Sequence, residues 1–579
     1  MRLARSVLAS AALLSSTSAL SLADVCTVSY VQSVLPADNF VEGITLSPDS
    51  VTANAVTNYT VASSSLCPGK SGLDFCNVTF SYTHTGLDDT TNLWYWLPSP
   101  EQFANRYLSI GGGGLSITPG QQGLGNGLVY GAVAGTTDGG FGGFNSDLTS
   151  VLLLANGTLN YNALFAFGYK AIHEMSVLGK ELTRQYYNSS DFYSYYQGCS
   201  EGGREGWSQI QRYGTQFDGA AVGAPAFRQA FQQVFHLFEN VVETTHNYYP
   251  SSCELQRINN DTIAACDGLD GRVDGVVSRT DLCKLQHNAT SSIGNPFSCK
   301  ASSGGGFPGG PGGGGASPAI NGTVSAEAAS VANDIIKGLF DSKGRQVYIS
   351  FQPSAPFSDA ATSYNTSSGQ YYAKASGIAL QYINLFLKEV DSNSLSLDGV
   401  TYDTLRTWIL EGMQKFADTL QTTWPDLEDF HDNGGKVIHF HGESDDSVPA
   451  ASSVIYHDSV RKIMYPDQDQ KDGYDSLNEW YKLFLVPGAG HCAPSTTQPN
   501  GPFPQAVLQS VIDWVENGIE PTMLNATVLN GNTTDVEQKL CGFPLRPYWD
   551  DDGTMECVYE QESIDSWLPT FDSIPLPVY

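Results

Sequence analysis

The chain has 579 residues, of which 60 are Asp or Glu and 29 are Lys or Arg, so its formal net charge is −31. That length supports a large core and more than one domain. The charge argues against nucleic acid or an anionic membrane as a partner, because both would repel the protein.

Residues 1–23 have the pattern of a secretory signal peptide. Arg2 and Arg5 precede an apolar and small-residue run, SVLASAALLSSTSALSLA, which is typical of a signal cleaved near Ala19 or Ala23. No later stretch is apolar for long enough to span a bilayer. We therefore expect a secreted, extracellular protein. Ten glycosylation sequons agree with that route: Asn58, Asn77, Asn156, Asn188, Asn260, Asn288, Asn321, Asn365, Asn525 and Asn532.

Residues 24–227 predict the first part of an α/β domain. The segments NLWYWLPSP, NRYLSIGGGG and GLVYGAVAG are typical of buried strands that end in glycine turns. LNYNALFAFGYKAIHEMSVLGKEL has helical spacing, and SDFYSYYQG then predicts another strand. Alternating strands and helices favour a mostly parallel sheet.

Residues 228–424 differ in character and predict an inserted domain. They contain amphipathic helices such as SAEAASVANDIIKGLF and a glycine tract, Gly304–Gly315. The tract lacks the Lys-Ser/Thr ending of a phosphate loop, so it predicts a flexible surface linker. Residues 425–579 return to the α/β pattern with GGKVIHFHGESDD, WYKLFLVPGAGHC and the helical segment PQAVLQSVIDWVENG.

The segment GCSEG places Ser200 in a G-x-S-x-G motif between a predicted strand and a predicted helix. Small flanking residues let the strand and helix approach while the serine hydroxyl stays exposed. A glycine turn with a capping serine would look similar. Asp445 and His491 each follow a later predicted strand, and the order Ser, Asp, His is that of α/β-hydrolases.

Other residues compete with parts of this triad. Asp446 is the alternative acid, and the sequence favours Asp445. His439 and His441 lie on or beside a strand, where packing or loop roles are expected.

Cysteines flank two of the candidate catalytic residues. Cys199 precedes Ser200, and Cys492 follows His491. A disulfide holds two Cα atoms about 4.4–6.8 Å apart, so a Cys199–Cys492 bond would hold the serine and histidine within hydrogen-bond range. The alternative is that each cysteine pairs elsewhere.

The Cys-Ser, Asp and His-Cys arrangement resembles the fungal tannase and feruloyl esterase family over nearly the whole mature chain. The segments YYQGCSEGGREGWSQIQR, TLQTTWPDLEDF and HGESDDSVPAASSV are most similar to its tannase members. The resemblance implies an α/β-hydrolase fold with a large lid, here 228–424. It also implies hydrolysis of esters between phenolic acids and alcohols or sugars, without an organic cofactor.

The expected chemistry needs oxyanion donors. The backbone N–H of Glu201 is the expected first donor. The second is expected from Gly112 and Gly113, in a glycine loop after a strand, although that loop could equally be a plain turn.

The resemblance further implies a structural Ca²⁺ in the lid. The segment CDGLDGRVDGVV offers side chains or carbonyls of Asp267, Asp270, Arg272, Asp274 and Val276, and hard oxygen ligands suit Ca²⁺. From the residues alone, a solvated acidic turn is the favoured interpretation, and only the resemblance reverses that preference.

The pairing of the other cysteines can be assigned only in part. Cys266–Cys283 would bracket the acidic loop, and Cys26–Cys76 and Cys541–Cys557 are local pairs. Cys253–Cys299 is then left within the lid, and Cys67 is the odd cysteine.

Relatives often carry a Lys-Arg processing site in the mid-chain loop. No Lys-Arg pair occurs in the glycine tract here, so cleavage into two chains is not expected.

The main functional hypothesis is a galloyl esterase. A feruloyl esterase and a non-catalytic polyphenol-binding protein are the alternatives.

Overall fold

The computed structural model describes residues 20–301, 317–392, 395–531, 534 and 536–579. The predicted signal peptide lies almost entirely outside these residues, and the glycine tract lies wholly outside them. Within the described ranges, no helix is both long and apolar enough to cross a membrane.

A nine-stranded sheet forms the centre of the molecule. Its strands are β1 (Ile44–Val61), β2 (Lys70–His84), β3 (Thr91–Pro98), β4 (Arg106–Ile110), β5 (Ala132–Thr137), β6 (Tyr193–Cys199), β7 (Gly219–Gly223), β8 (Lys436–Gly442) and β9 (Tyr481–Val486). Their spatial order is β1-β2-β3-β5-β4-β6-β7-β8-β9. The pairs from β1 to β5 are antiparallel, and those from β5 through β9 are parallel. The predicted parallel part is therefore confirmed, beside an unpredicted antiparallel edge.

Both faces of the sheet are buried. Neighbouring residues of one strand point to opposite faces, and Val133 and Ala134 of β5 belong to different apolar clusters. Tyr195 and Tyr196 of β6 divide in the same way. Burial on both faces explains the continuous apolar runs in the central strands.

The predicted strand over residues 127–135 is wrong in its first half. A helix occupies Gly120–Val129, and only Ala132 onwards is strand. A Cβ on Gly127 would lie 2.5 Å from the Ala134 side chain, and one on Gly125 would lie 3.1 Å from Val61. The glycines thus allow the helix to lie close against the sheet, an advantage that local propensity does not reveal.

The helices cover the two sheet faces and build the insertion. In the first part they are Leu22–Val25, Val28–Ser33, Gly120–Val129, Tyr161–Phe165, Ala171–Tyr187 and Glu201–Arg212. In the insertion they are Gln229–Phe235, Phe238–His246, Ser252–Cys266, Thr280–Gln286, Ala326–Lys337, Gly377–Gln381 and Tyr402–Lys415. In the last part they are Glu428–Asp432, Ala451–Met464, Gln470–Leu477, Val507–Asn517 and Gln561–Ser566.

Short strand pairs lie outside the main sheet. In the insertion these are Pro296–Cys299 with Ile320–Thr323, Leu339–Phe340 with Gln346–Tyr348, and Thr362–Asn365 with Gln370–Ala373. In the last part, Pro502–Phe503, Met523–Val528 and Glu537–Cys541 form one sheet, and Arg546–Trp549 pairs with Met555–Val558.

The insertion leaves and re-enters the sheet at adjacent strands. β7 precedes it and β8 follows it, and the two strands are hydrogen-bonded neighbours. Its two ends also pair with each other: Arg228 bridges Gln421, and the Thr422 N–H donates to the Phe227 carbonyl at 2.9 Å. We call these paired ends the neck. The boundaries 24–227, 228–424 and 425–579 stay a prediction.

Five disulfides join the predicted cysteine pairs. They are Cys26–Cys76, Cys199–Cys492, Cys253–Cys299, Cys266–Cys283 and Cys541–Cys557. Cys67 is buried and unpaired. Burial raises the pKa of its thiol to about 12, so the thiol stays protonated and unreactive at ordinary pH.

Candidate active site

Four loops meet at the carboxyl edge of the parallel strands. β4 runs into Gly111–Gly114, and β6 runs into Ser200. Asp445 follows the end of β8, and His491 follows the end of β9. This edge is where ligands bind in open α/β sheets.

Ser200 occupies a strained turn between β6 and the helix Glu201–Arg212. Its φ is 64° and its ψ is −122°, a conformation that side-chain-bearing residues rarely adopt. Its N–H donates to the Gly223 carbonyl at 3.0 Å. A Cβ on Gly202 would lie 2.7 Å from the Gly112 carbonyl oxygen, so the motif glycine is required sterically. The expectation of a strand–serine–helix turn is confirmed.

Asp445 and His491 form a hydrogen-bonded pair. Asp445 Oδ2 lies 2.8 Å from His491 Nδ1, while its Oδ1 accepts the N–H groups of Ser447 and Val448, each at 2.8 Å. Burial would raise the pKa of Asp445, but His491 and His441 hold it below its ordinary value. Burial would lower the pKa of His491, but Asp445 holds it above the ordinary value. The carboxylate thus stabilises a protonated imidazole.

Two neighbouring residues differ from Asp445 in what they contact. Asp446 accepts a hydrogen bond from the Ser358 hydroxyl of the insertion, and burial raises the pKa of Asp446. His441 is more than a packing residue: its Nε2 lies 3.1 Å from Asp445 Oδ2 and its Nδ1 lies 2.6 Å from the Ser453 hydroxyl. His439 does pack, with its ring stacked on Tyr481.

The Cys199–Cys492 disulfide joins the serine turn to the histidine loop. Its Cα atoms are 6.1 Å apart. Ser200, His491 and the disulfide all line one cavity of about 440 Å³, and the His491 side chain is 23% exposed there. The structure contains no hydrogen bond from the Ser200 hydroxyl to His491. Catalytic hydrogen bonds often form only when substrate is bound.

The two predicted oxyanion glycines already have acceptors. The Gly112 N–H donates to Glu205 Oε2 at 2.9 Å, and the Gly113 N–H donates to the Ser116 carbonyl at 2.9 Å. The prediction that both donate to an oxyanion is not met in this conformation, because neither N–H is available. Glu201 begins the helix after Ser200, where N–H groups have no intrahelical acceptor, so its predicted role stays open.

Buried charges support the helix behind the serine. The Arg204 Nε donates to Glu201 Oε1 at 2.7 Å, and its terminal nitrogens donate to the carbonyls of Phe167 and Gly168, each at 2.8 Å. Burial raises the pKa of Glu205 well above its ordinary value. Glu205, which accepts the Gly112 N–H, therefore holds the glycine loop against the helix.

The acidic loop of the insertion combines carboxylate groups with backbone N–H groups and an arginine. Asp267 accepts the N–H groups of Asp274 and Gly275 at 3.0 Å, and Asp274 pairs with Arg272. Asp270 has one buried carboxylate oxygen without a partner. Burial raises the pKa of Asp270 and of Asp274. Among the described residues, no group of three or more His, Cys, Asp or Glu side chains is already arranged to hold a metal.

This acidic loop contacts the loop that follows His491 and, through Gln498, reaches the aspartate loop, which the sequence does not indicate. The Val277 N–H donates to Gln498 Oε1 at 2.7 Å, and Gln498 Nε2 donates to the Ser444 hydroxyl at 2.5 Å, next to Asp445. The buried Arg546 donates to Glu443 Oε2 at 2.6 Å and to the Ser278 carbonyl at 2.9 Å. The insertion and the C-terminal segment therefore both support the aspartate loop.

A buried polar cluster of the insertion lies beside Asp446. Burial and then the charge of Asp359 raise the pKa of Glu239, and the charge of Asp446 adds to the effect. His236 Nδ1 lies 2.6 Å from Asp359 Oδ2. The cluster contains buried side-chain atoms without hydrogen-bond partners, on Gln232, Gln233, His236, Asn240, Glu243 and Asp359. The sequence analysis missed these residues, since nothing in their spacing marks them.

Comparison with known proteins decides the family. The family model "Tannase and feruloyl esterase" matches residues 76–564. The chain belongs to the tannase and feruloyl esterase family. It is thus a carboxylic ester hydrolase with an α/β-hydrolase fold, as predicted.

Relatives in this family cover almost the whole chain. A tannase of Aspergillus oryzae is 45% identical over 99% of both sequences, and a probable feruloyl esterase of Arthroderma benhamiae is 29% identical over 82% of this chain and 83% of its own. The solved structure of a tannin acyl hydrolase from Aspergillus niger superposes with a TM-score of 0.93 and 54% identity, over 96% of this chain and 99% of that one.

Proposed function

We propose that this esterase hydrolyses galloyl ester and depside bonds of tannins and gallate esters. The carrying observation is the Asp445–His491 pair, 2.8 Å apart, whose histidine lines one cavity with a serine that the Cys199–Cys492 disulfide holds nearby. The near full-length similarity to a tannase and to a tannin acyl hydrolase supports the substrate class.

The mechanism is acyl transfer to water through Ser200. His491 takes the proton of the serine hydroxyl as the hydroxyl oxygen attacks the ester carbonyl, and returns it to the leaving alcohol. Asp445 fixes the imidazole tautomer and stabilises its charge. Water then cleaves the acyl-enzyme by the same route. The N–H of Glu201 is the proposed oxyanion donor.

The polar cluster beside Asp446 is proposed to recognise a hydroxyl-rich acyl group, although none of its residues lines the cavity at Ser200. Buried polar atoms without partners are costly unless a ligand satisfies them. His236, Gln232 and Gln233 carry such atoms. The three phenolic hydroxyls of a galloyl group supply more donors than a feruloyl group, which carries one phenolic hydroxyl and one methoxy group.

Parallel assays with methyl gallate and methyl ferulate test the substrate class. We expect kcat/KM for methyl gallate to exceed that for methyl ferulate by at least about a hundredfold, because each buried polar group left unpaired costs about 1–3 kcal/mol. The reverse preference would make the protein a feruloyl esterase, the activity that the more distant relatives suggest.

Substitution of the serine tests catalysis itself. Ser200→Ala should reduce kcat by at least about 10³-fold, because the acyl-enzyme cannot form. Ser208→Ala, in the same helix, is the matched control and should keep most activity. Unchanged turnover in a clean Ser200→Ala preparation, together with no labelling of the wild type by a serine-directed phosphonate, would favour a non-catalytic binding protein.

The protein is proposed to be secreted and glycosylated. Five disulfides in the described residues suit an oxidising compartment. The predicted signal peptide and the sequons support the same route.

We also propose a structural Ca²⁺ at the acidic loop. Asp267, Asp270 and Asp274, with carbonyls of Arg272 and Val276, would hold it, and the ion would supply folding stability rather than chemistry. The unpartnered buried oxygen of Asp270 fits a missing cation. The mutual repulsion between Asp267 and Asp274 fits it too.

Chelation tests the calcium proposal through stability. Metal-depleted protein should melt several degrees lower than protein with Ca²⁺, since a ligand at a hundredfold excess over its Kd stabilises by about 2.7 kcal/mol. Activity at moderate temperature should change less. Asp270→Asn should abolish the calcium-dependent shift, and Asp551→Asn, in an exposed acidic turn, should keep it. Identical melting curves with and without Ca²⁺ would contradict the site.

A further inference from the structure

A second cavity, of about 790 Å³, lies at the neck of the insertion. Its walls include Arg228 and Gln421 of the neck, Gln211 and Arg212 at the end of the helix that begins after Ser200, and residues 576–579. At 1.5 Å per residue, that helix separates the cavity from Ser200 by about 16 Å. None of the proposed catalytic residues lines it.

Arg228 is a buried cation without an anionic partner. Its residue is 2% exposed, and only Nη1 donates, to the carbonyl and hydroxyl of Ser452. Nε and Nη2 have no acceptor. A buried charge normally requires a counterion. Each of the other four buried arginines in the described chain has a carboxylate partner: Arg204, Arg279, Arg461 and Arg546.

Among the described residues that line this cavity, the buried side-chain atoms without partners are all hydrogen-bond donors. Besides the two Arg228 nitrogens, Gln421 Nε2 is buried without an acceptor. A guanidinium binds a carboxylate through two parallel N–H groups. Arg212 contributes no net charge at the rim, because it pairs with Asp418 at 3.1 Å. The missing partner is therefore an acceptor with negative charge.

Aromatic surface accompanies these donors. Phe231 and Trp424 both line the cavity, and Trp424 is 62% exposed. An exposed indole beside a concave site is a common platform for planar rings. The volume falls within the range of about 300–1,000 Å³ that is typical of small-molecule sites.

We infer that the neck cavity is a second ligand site, which binds an aromatic carboxylate between Arg228, Gln421 and Trp424. The inference does not depend on the proposed function, because its chemistry follows from the unpartnered donors. The free acids that a phenolic esterase releases belong to this ligand class. The bound ligand would thus contact both ends of the insertion, where they meet the sheet.

Titration calorimetry with benzoate tests the site. Benzoate has the ring and the carboxylate but no phenolic hydroxyls, and benzamide is the neutral control ligand. We expect benzoate to bind the wild type at least about tenfold more tightly than benzamide, the loss expected when a charge-assisted pair is replaced. Arg228→Met should weaken benzoate binding at least about tenfold. Arg212→Met, the rim control, should change it less than about threefold.

Activity separates this inference from the proposed function. Arg228→Met should keep kcat/KM for methyl gallate without benzoate, since Arg228 touches no catalytic residue. If Arg228→Met does not fold, Gln421→Leu and Trp424→Ala test the site instead. Each should weaken benzoate binding about threefold to tenfold. No benzoate binding by the wild type would overturn the inference. Equal binding of benzamide, or binding that survives all three substitutions, would also overturn it.

Discussion

Asp445 and Asp446 show how two identical neighbours acquire different chemistry. Asp445 accepts two backbone N–H groups and faces His491, and its pKa falls. Asp446 points to the insertion and Ser358, and burial raises its pKa. The residue type does not distinguish them. The hydrogen bonds around each carboxyl group do.

Replacing Asp445 should affect both rate and pH dependence. Because Asp445 raises the pKa of His491, activity is lost as pH falls through that raised pKa. Asp445→Asn should lower kcat about 10³–10⁴-fold and move the acidic limb of kcat/KM to lower pH. A pH–rate profile for methyl gallate measures both effects.

Asp446→Asn is the matched control for this prediction. It should cost less than about tenfold, because Asp446 is a smaller contributor to the raised pKa of His491. A larger loss for Asp446→Asn than for Asp445→Asn would assign the acid role to Asp446 instead.

At the scale of elements, the sheet brings the loops of the site to one edge. A disulfide bond then joins two of these loops. The Cys199–Cys492 bond closes a separation of 293 residues that contains the whole insertion. Arg546 and Gln498 hold the aspartate loop from the other side. The serine turn and the histidine loop are thereby joined, and Gln498 links the histidine loop to the aspartate loop and to Val277 of the insertion.

Removing the disulfide should reduce kcat more than it changes KM. In Cys199→Ala/Cys492→Ala, the histidine loop can move relative to Ser200, and a misplacement of about 1 Å costs about a hundredfold in rate. For a separation of 293 residues, the chain-entropy model gives at most about 6 kcal/mol of lost stability. Steady-state kinetics with methyl gallate, at a temperature where the variant is folded, measure the change.

The control for this prediction is Cys541→Ala/Cys557→Ala, which removes a disulfide of 16-residue separation in the last part of the chain. It should lower the melting temperature and leave kcat nearly unchanged. Equal kinetic losses in the two double variants would show that the Cys199–Cys492 bond has no special role in positioning.

At the scale of the whole molecule, buried ionisable groups set how stability depends on pH. Burial raises the pKa of Glu243 to about 8 and that of Glu239 well above its ordinary value. Burial lowers the pKa of His457 to about 3 and that of His439 well below its ordinary value. Between about pH 4 and 7, the folded protein therefore contains a neutral carboxyl group at Glu243 and a neutral imidazole at His457.

These shifts predict greatest stability at mildly acidic pH. Between about pH 4.5 and 8 the folded state binds more protons at Glu243 than the unfolded chain, so stability falls as pH rises. Between about pH 6.5 and 3 the unfolded chain binds more protons at His457, so stability falls as pH falls. Melting temperatures from pH 4 to 8 should therefore peak between about pH 4.5 and 6.5.

Glu243→Gln tests the alkaline side of this profile. The substitution removes the titrating group, so the decline in melting temperature between pH 6 and 8 should become shallower. Glu562→Gln, at an exposed position, should leave the profile unchanged. A wild-type melting temperature that rises from pH 6 to 8 would contradict the prediction.

The sequence by itself determined the parts of this protein that depend on local chemistry. A serine in a strained turn needs glycines on both sides, so GCSEG predicts the strand–serine–helix turn that holds Ser200. Strands buried on both faces need continuous apolar runs, so β3, β4, β6, β8 and β9 are visible. Cysteines adjacent to Ser200 and His491 likewise predict the bond that joins them.

Only the tertiary structure decided the features that depend on what lies opposite a residue. The helix Gly120–Val129 is stable because its glycines fit against β5 and Val61, contacts that no local pattern encodes. The N–H groups of Gly112 and Gly113 have acceptors because Glu205 and Ser116 happen to face them. Arg228 has no anionic partner because its Nη1 donates to Ser452 and its Nε and Nη2 meet no acceptor. Both hydrogen bonding and burial depend on neighbours that are distant in sequence, and these neighbours meet only after the chain has folded.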